Sequence, residues 1–368
     1  MARGERASYI AGDMRALPLH SFHAARGSVL KSESEVEFVA SAAPRLEGWK
    51  AAQEAAVLYD HSGRELITVT GEDRVSFVHG MCTQDINGLA EQAATDATHV
   101  TAKGAIVADS RILKLADEVL IDVAPGRGAP LRTFLDTYLI SEDAELTHST
   151  DRFGQLGVYG PKAGEIVTAA LGVQLPEGFP TTNNALHVHT WQGSTLLLLG
   201  NARTTAAGID VLVPQPLLEQ AFTALETAGA LAVGRDVIET LRVEKGVPRS
   251  GAELTEKTIP MEAHLAHAIS YNKGCYIGQE VIARGTFRGQ MSRKLVGLLL
   301  GEKAPAAGTE LFVGDRRVGW LTSVVHSPAR NQHVALGYVN RNFLEAGTVL
   351  TLAGEAGEVT VAELPLVS

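Results

Sequence analysis

Apolar and polar positions change their rhythm several times along this chain. Residues 1–45 show no clean period until Val36-Glu37-Phe38-Val39, and a loosely packed N-terminal segment is expected there. Residues 51–58 suit a helix ending at Tyr59-Asp60-His61-Ser62. Residues 65–70 then alternate as a strand before the turn Gly71-Glu72-Asp73. Asp73 is placed to cap a helix with apolar positions Val75, Phe77 and Val78, stopping near Gly80. Strand-like runs follow at 99–101, 105–107, 112–115 and 119–123. Pro125-Gly126-Arg127-Gly128 breaks them, and 131–140 reads as a helix. Strands and helices mixed with short connections predict an α+β unit with largely antiparallel sheets over 46–150.

A second α+β unit is expected over 151–290. It has a strand at 155–159, a helix from Gly160-Pro161 to 170, and a hairpin-like pair at 186–188 and 195–199. A strand at 209–213 and helices at 217–228 and 236–241 complete it. From 291 to 368 the pattern becomes short strands, at 295–300, 310–313, 317–325, 334–339, 349–352 and 359–361. Gly, Pro, Asp and Asn separate them at the spacing of a small barrel or sandwich.

The chain has 368 residues, enough for two or three domains and a sizeable core. A hydrophobic share of 45% beside 20% charged residues places it among ordinary globular proteins. A net charge of −10 argues against a general nucleic-acid binder but leaves room for a local basic pocket. Cys82 and Cys275 are far apart and form no C-x-x-C, which suggests a reducing compartment and no disulfide framework. Two cysteines cannot alone supply a four-cysteine zinc or iron–sulfur site. The longest apolar runs, such as 195–199 and 295–300, are strand-length, so no membrane span is expected. The N-terminus lacks the apolar core of a signal peptide. Glu5 and Asp13 among Arg3, Arg6 and Arg15 speak against a transit peptide, so a cytoplasmic location is expected.

The stretch Lys273-Gly274-Cys275-Tyr276-Ile277-Gly278-Gln279-Glu280 carries the strongest chemical signal. Glycine allows a tight bend beside Cys275, and a nearby lysine favours the thiolate, the reactive form. The octapeptide resembles the signature of the YgfZ-type folate-binding proteins, relatives of the glycine cleavage T-protein. Leu241-Arg242-Val243-Glu244-Lys245-Gly246-Val247-Pro248, Ile259-Pro260-Met261-Glu262-Ala263, Val281-Ile282-Ala283-Arg284 and Arg288-Gly289 match in order and spacing. The resemblance covers about residues 50–368, with 1–45 matching least. It implies two α+β units around a central folate-type cavity, then a C-terminal β-barrel.

The same resemblance implies tetrahydrofolate as ligand and iron–sulfur client or assembly proteins as partners. Cys275 and Lys273 are its implied active groups. Asp85, in Thr83-Gln84-Asp85, resembles the Thr-Asn-Asp segment that lines the folate cavity in the relatives. Arg242 corresponds to a cavity arginine, and Asp210 to the second acidic position of Thr-Gly-Glu-x-Gly-x-Glu. Gln84 departs from that Thr-Asn-Asp pattern but keeps an amide, and two further positions depart from the T-protein. Lys103-Gly104-Ala105-Ile106-Val107-Ala108-Asp109 resembles Lys-Gly-Gly-Ile-x-Asp-Asp, with Ala108 at the first, working aspartate. Ala206 stands where a glutamate contacts the pterin.

The expected function is therefore a tetrahydrofolate-binding accessory protein for iron–sulfur cluster assembly or repair. The alternatives are an aminomethyltransferase of the T-protein type, which needs a carboxylate at the Ala108 position, and a catalytically silent scaffold. Arg242→Ala is expected to weaken folate binding and spare the barrel. His264 and His267 lie three apart on a predicted helix, but no third metal ligand is evident. Glu262 reads as favourable to that helix's dipole, and Cys82 as core. No glycine-rich stretch fits a dinucleotide loop.

Overall fold

The computed structural model describes residues 14–180, 182–201, 204–288, 291–354 and 357–367. The expectations on Arg3, Glu5, Arg6, Asp13 and Gly289 lie outside the described residues. Two antiparallel sheets form the body. One has five strands in the order Ala93–Val100, Ile106–Lys114, Val119–Val123, Glu65–Thr70, Glu145–His148. The other has six, in the order Leu186–Trp191, Ser194–Asn201, Gly208–Pro214, Phe153–Tyr159, Val57–Asp60, Leu231–Ala232. The last strand pairs parallel with Val57 and Leu58; the other pairings are antiparallel.

The sheets stack on one another through Leu66, Leu113 and Leu120 from one and Leu197, Leu199 and Leu212 from the other. Each outer face is covered by helices. Phe77, Val78 and Met81 of helix Arg74–Met81, with Leu131 and Leu135 of Gly128–Asp136, pack on Ile67, Ile112 and Ile121. Helices Ala163–Leu171 and Leu218–Thr227 cover Val158, Leu198, Ile209 and Val211. Burial on both faces removes the alternation normal for a half-solvated strand. All five residues of Val119–Val123 are buried.

The same double burial overturns the helix expected over 51–58. The helix spans Arg45–Glu54, and Val57–Asp60 is a fully buried interior strand. A continuous apolar run reads alike as a buried strand or a buried helix. Asp73 does begin helix Arg74–Met81, but its side chain makes no cap bond. Its Oδ2 accepts from the Asp143 amide at 2.9 Å and ties the helix start to another loop.

Residues 14–45 are packed rather than loose. They form helix His20–Ala25 and the hairpin Val29–Glu33/Val36–Ser41, with Leu17, Leu19, His23, Val36 and Val39 buried. His23 Nε2 lies 2.8 Å from Asp60 Oδ2. Helix Arg235–Lys245 packs Val237, Ile238 and Leu241 against Leu17, Val39 and Tyr59, joining this segment to the six-stranded sheet.

Strands Arg293–Gly301, Glu310–Val313, Arg316–Ser327, Gln332–Asn340, Val349–Leu352 and Glu358–Ala362 close into the expected barrel. Buried Glu253 fastens it to the body. Glu253 Oε1 accepts from Thr322 Oγ1 at 2.7 Å and Ser323 Oγ at 2.6 Å, while Tyr338 OH donates to the Glu253 carbonyl at 3.0 Å. No helix among the described residues is long and apolar enough to cross a membrane.

Candidate functional site

Side chains on a strand alternate between faces, so the stacking of the two sheets decides which residues meet. On Ile106–Lys114, Ala108 and Ile112 face the helices, while Asp109, Arg111 and Leu113 face the other sheet or the space beside it. The opposing rows are Leu199 with Asn201 and Asp210 with Leu212. Leucines close the seam at one end, and polar groups line a cavity of about 430 Å³ at the other. That size is typical of small-molecule sites. Its walls include the hairpin residues Glu33, Glu37 and Phe38, the body residues Tyr59, His61, Asp109, Tyr159 and Asp210, and Arg235 and Arg249.

The sheet-borne part is a buried network. Arg111 is 1% exposed and bridges Asp210 Oδ2 at 2.7 Å and Asp122 Oδ2 at 3.1 Å. Arg64 Nε reaches Asp122 Oδ1 at 2.7 Å. Asp210 also accepts from Tyr159 OH at 2.6 Å and Asn201 Nδ2 at 2.7 Å. His61 Nε2 lies 2.7 Å from the same tyrosine oxygen, which accepts from it because its own proton goes to Asp210. Gly157 makes room for this: a Cβ there would sit 2.2 Å from the Tyr159 hydroxyl oxygen.

Burial pushes the Asp210 carboxyl upward, but Arg111, His61 and the Tyr159 hydroxyl outweigh it and hold it at about 2. Burial drives His61 down to about 4 against the pull of Asp210, so the imidazole is neutral at pH 7. Burial raises Tyr59 to about 12, with Arg235 opposing. Asp109 differs from the other carboxylates here. Its Oδ1 is buried and has no hydrogen-bond partner among the described residues, yet it lines the cavity. A buried acceptor without a partner is costly, so a ligand donor is the natural complement.

This placement corrects the reading of Ala108. That residue is 1% exposed in the helix-facing core, not on the cavity face. The sheet face turned to the cavity is that of Asp109, one residue later. Ala206 is not part of the wall; its carbonyl accepts from the Oγ1 of Thr204, which is.

The other candidates divide between two places. Asp210 and Arg242 line the cavity. The five N–H donors of Arg242 go to Glu239 Oε1 and Oε2, Val247 O, Glu253 Oε2 and Ser323 Oγ. Glu253 and Glu239 outweigh burial and hold the guanidinium above its ordinary range. Ser323 belongs to barrel strand Arg316–Ser327, so a change at Arg242 cannot be expected to spare the barrel.

Asp85 and Lys273 meet at the C-terminal end of helix Arg74–Met81, away from the cavity wall. Asp85 Oδ1 accepts from Gly88 N at 2.9 Å and lies 3.2 Å from His79 Nδ1. Lys273 Nζ donates to the carbonyls of His79, Cys82 and Gln84, as suits a cation at a helix C-terminus. Burial lowers its pKa, with Cys82 and Asp85 opposing. Its ammonium is thus spent on backbone, and Cys275 lies exposed two residues on.

Cys82 is buried in the helix-facing core, and burial lifts its thiol to about 11. A thiol reagent at neutral pH is therefore expected to modify Cys275 and spare Cys82 until the protein unfolds. Peptide mapping of the first adduct checks this; first labelling of Cys82 would contradict it.

His264 and His267 are not on one helix. The helical turn is the short Pro260–Ala263, and His264 follows it in the left-handed region at φ 60°. His264 Nε2 meets the Leu295 carbonyl at 2.7 Å, and His267 Nε2 lies 3.6 Å from Asp96. No group of three or more His, Cys, Asp or Glu that could hold a metal occurs among the described residues. Glu262 pairs with Arg293 at 3.1 Å.

Sequence reading missed His61, Arg111, Tyr159 and the hairpin wall. The available signal was the period-two row Asp109-x-Arg111, two charges on one face of strand Ile106–Lys114.

Residues 20–273 match the GCVT N-terminal domain, and residues 293–367 match the glycine cleavage T-protein C-terminal barrel domain. A chloroplastic protein of Arabidopsis thaliana, provisionally named a transferase, is 29% identical over 83% of this chain and 69% of its own length. The aminomethyltransferase of Desulforamulus reducens is 26% identical over 92% of this chain and 94% of its own. The fold matches the glycine cleavage system aminomethyltransferase T of Bartonella henselae with a TM-score of 0.87 at 22% identity, covering 96% of this chain and 98% of that one. With both domains present in order and nearly the whole chain matched, this protein belongs to the glycine cleavage T-protein family.

Proposed function

We propose that the chain binds tetrahydrofolate in the central cavity. We propose further that it serves iron–sulfur cluster assembly or repair as a YgfZ-type accessory protein, with Cys275 as its active thiol. The observation that carries the folate reading is the buried, unpartnered Oδ1 of Asp109 in a cavity of about 430 Å³. A tetrahydropterin presents several N–H donors, and a fixed carboxylate oxygen complements one of them. The accessory role is supported by the octapeptide and by the exposure of Cys275 outside the cavity wall. An exposed thiol can exchange with a persulfide or ligate iron transiently during handover between partners.

Asp109 also favours a second reading. A carboxylate in that place can hold a proton or offset the iminium charge formed in aminomethyl transfer to tetrahydrofolate. One experiment separates the two. Cells lacking the protein are complemented with the natural chain, with Cys275→Ser or with Asp109→Asn, and iron–sulfur enzyme activities are measured. The purified proteins are assayed in parallel with a lipoyl-bound aminomethyl donor and tetrahydrofolate. The accessory reading expects Cys275→Ser to lose cluster-enzyme activity at unchanged thermal stability, with no methylenetetrahydrofolate formed by any variant. Robust turnover that survives Cys275→Ser would instead establish the transferase.

A further inference from the structure

At the cavity wall the N-terminal hairpin supplies a carboxylate to two arginines. Glu33 ends strand Val29–Glu33, and its Oε2 accepts from Arg235 Nη1 at 2.6 Å and from Arg249 Nη1 at 2.9 Å. All three residues line the cavity. Each guanidinium is also held by something other than Glu33. That of Arg235 lies 3.3 Å from the centre of the Phe38 ring and is hydrogen-bonded to the side chain of Tyr59 on the six-stranded sheet, and Arg249 Nε is 3.2 Å from Glu239 Oε1. Two cations fixed independently around one oxygen make a carboxylate site.

The occupant is fixed much less firmly than the site. The Glu33 side chain is 44% exposed, against 19% for Arg235 and 30% for Arg249. Its strand is mostly exposed and pairs with one neighbour. Two other acidic groups of the wall each have a backbone amide and a histidine to hold them. Asp60 is held by His23 and by the Ser62 amide, and Glu37 by the Leu17 amide and His20. A half-exposed ion pair stabilises by little and exchanges readily. The hairpin turn, Ser34-Glu35 with both φ positive, rests against Gly126 across the cavity wall.

We infer that Arg235 and Arg249 form a carboxylate subsite for the acidic tail of the cavity's ligand, and that Glu33 is its resident, exchangeable occupant. The tail enters by taking the place of Glu33, which loosens the hairpin. The ligand class is an organic acid joined to a ring system, such as the glutamyl group of a folate. The ring part of that ligand rests on the folate reading; the carboxylate subsite does not.

The test compares tetrahydrofolate with tetrahydropteroate, which keeps the ring system and lacks the glutamyl group. Calorimetry on the full chain is expected to show Glu33→Gln binding tetrahydrofolate about two- to fivefold more tightly than the natural protein. Tetrahydropteroate affinity should stay unchanged, and adding Arg249→Gln should abolish the gain. Equal or weaker tetrahydrofolate binding by Glu33→Gln would overturn the subsite, as would an equal gain for both ligands. If neither pterin binds any variant, the folate reading fails and p-aminobenzoylglutamate decides the subsite. Tighter binding of that probe to Glu33→Gln than to the natural protein supports it; no difference overturns it. Hydrogen exchange of amides in the outer strand Val29–Glu33 should quicken when the tail binds. Unchanged exchange in the bound state overturns the loosening.

Discussion

Asp109→Asn is expected to weaken tetrahydrofolate binding about ten- to a hundredfold while leaving the fold in place. The free oxygen of Asp109 is the reason for both halves. Its Oδ1 has no protein partner among the described residues, so no internal bond is lost when the charge is removed. A ligand N–H that it accepts loses a charge-assisted bond worth about 1.5–3 kcal/mol. Asparagine keeps the volume, so packing against the second sheet is unchanged. Calorimetric titration beside a thermal melt checks this. Unchanged affinity would remove Asp109 from the site, and a large fall in melting temperature would make it a structural residue instead.

Arg111→Met should produce the largest loss of stability, about 3–5 kcal/mol at neutral pH. Arg111 is 1% exposed and is paired with both Asp122 and Asp210. Methionine fills much of the volume but leaves two buried carboxylates without their shared cation. The pH dependence gives a sharper check. In the natural protein Asp210 is held at about 2, below an unfolded value near 3.9, so its contribution is present above about pH 4 and lost as pH falls toward 2. Without Arg111, burial lifts the Asp210 carboxyl instead. The variant then gains relative stability on protonation, and its deficit should shrink between pH 7 and pH 4. Urea unfolding at the two pH values measures this. A deficit under about 1 kcal/mol, or one that does not change with pH, would show that the network does not depend on Arg111.

The barrel and most elements of the body were legible because their signals are local. The six C-terminal strands are short apolar runs that end at turn residues, and each was found within a few positions of its observed limits. The hairpin at Leu186–Trp191 and Ser194–Asn201 was legible for the same reason. Reading failed at 51–58, where an apolar run fits a buried strand and a buried helix alike. Residues 51–58 looked helical, yet Val57–Asp60 is a strand whose four residues are all buried.

By itself the sequence determined the glycine cleavage T-protein family, through ordered motifs along the chain, and named the candidate groups, Cys275 in the octapeptide and acidic residues elsewhere. Whether a motif residue meets the cavity depends on which sheet face is stacked inward, and no single strand encodes that. Ala108 and Asp109 are neighbours in the chain, but the stacking sends one into the core and the other to the cavity. Arg111 and Asp210 are 99 positions apart and share a bond of 2.7 Å. Glu33 and Arg249 are 216 apart and share one of 2.9 Å. Only the tertiary structure decided these pairings, because packing brings together charges from segments far apart in the chain, and neither segment encodes its partner.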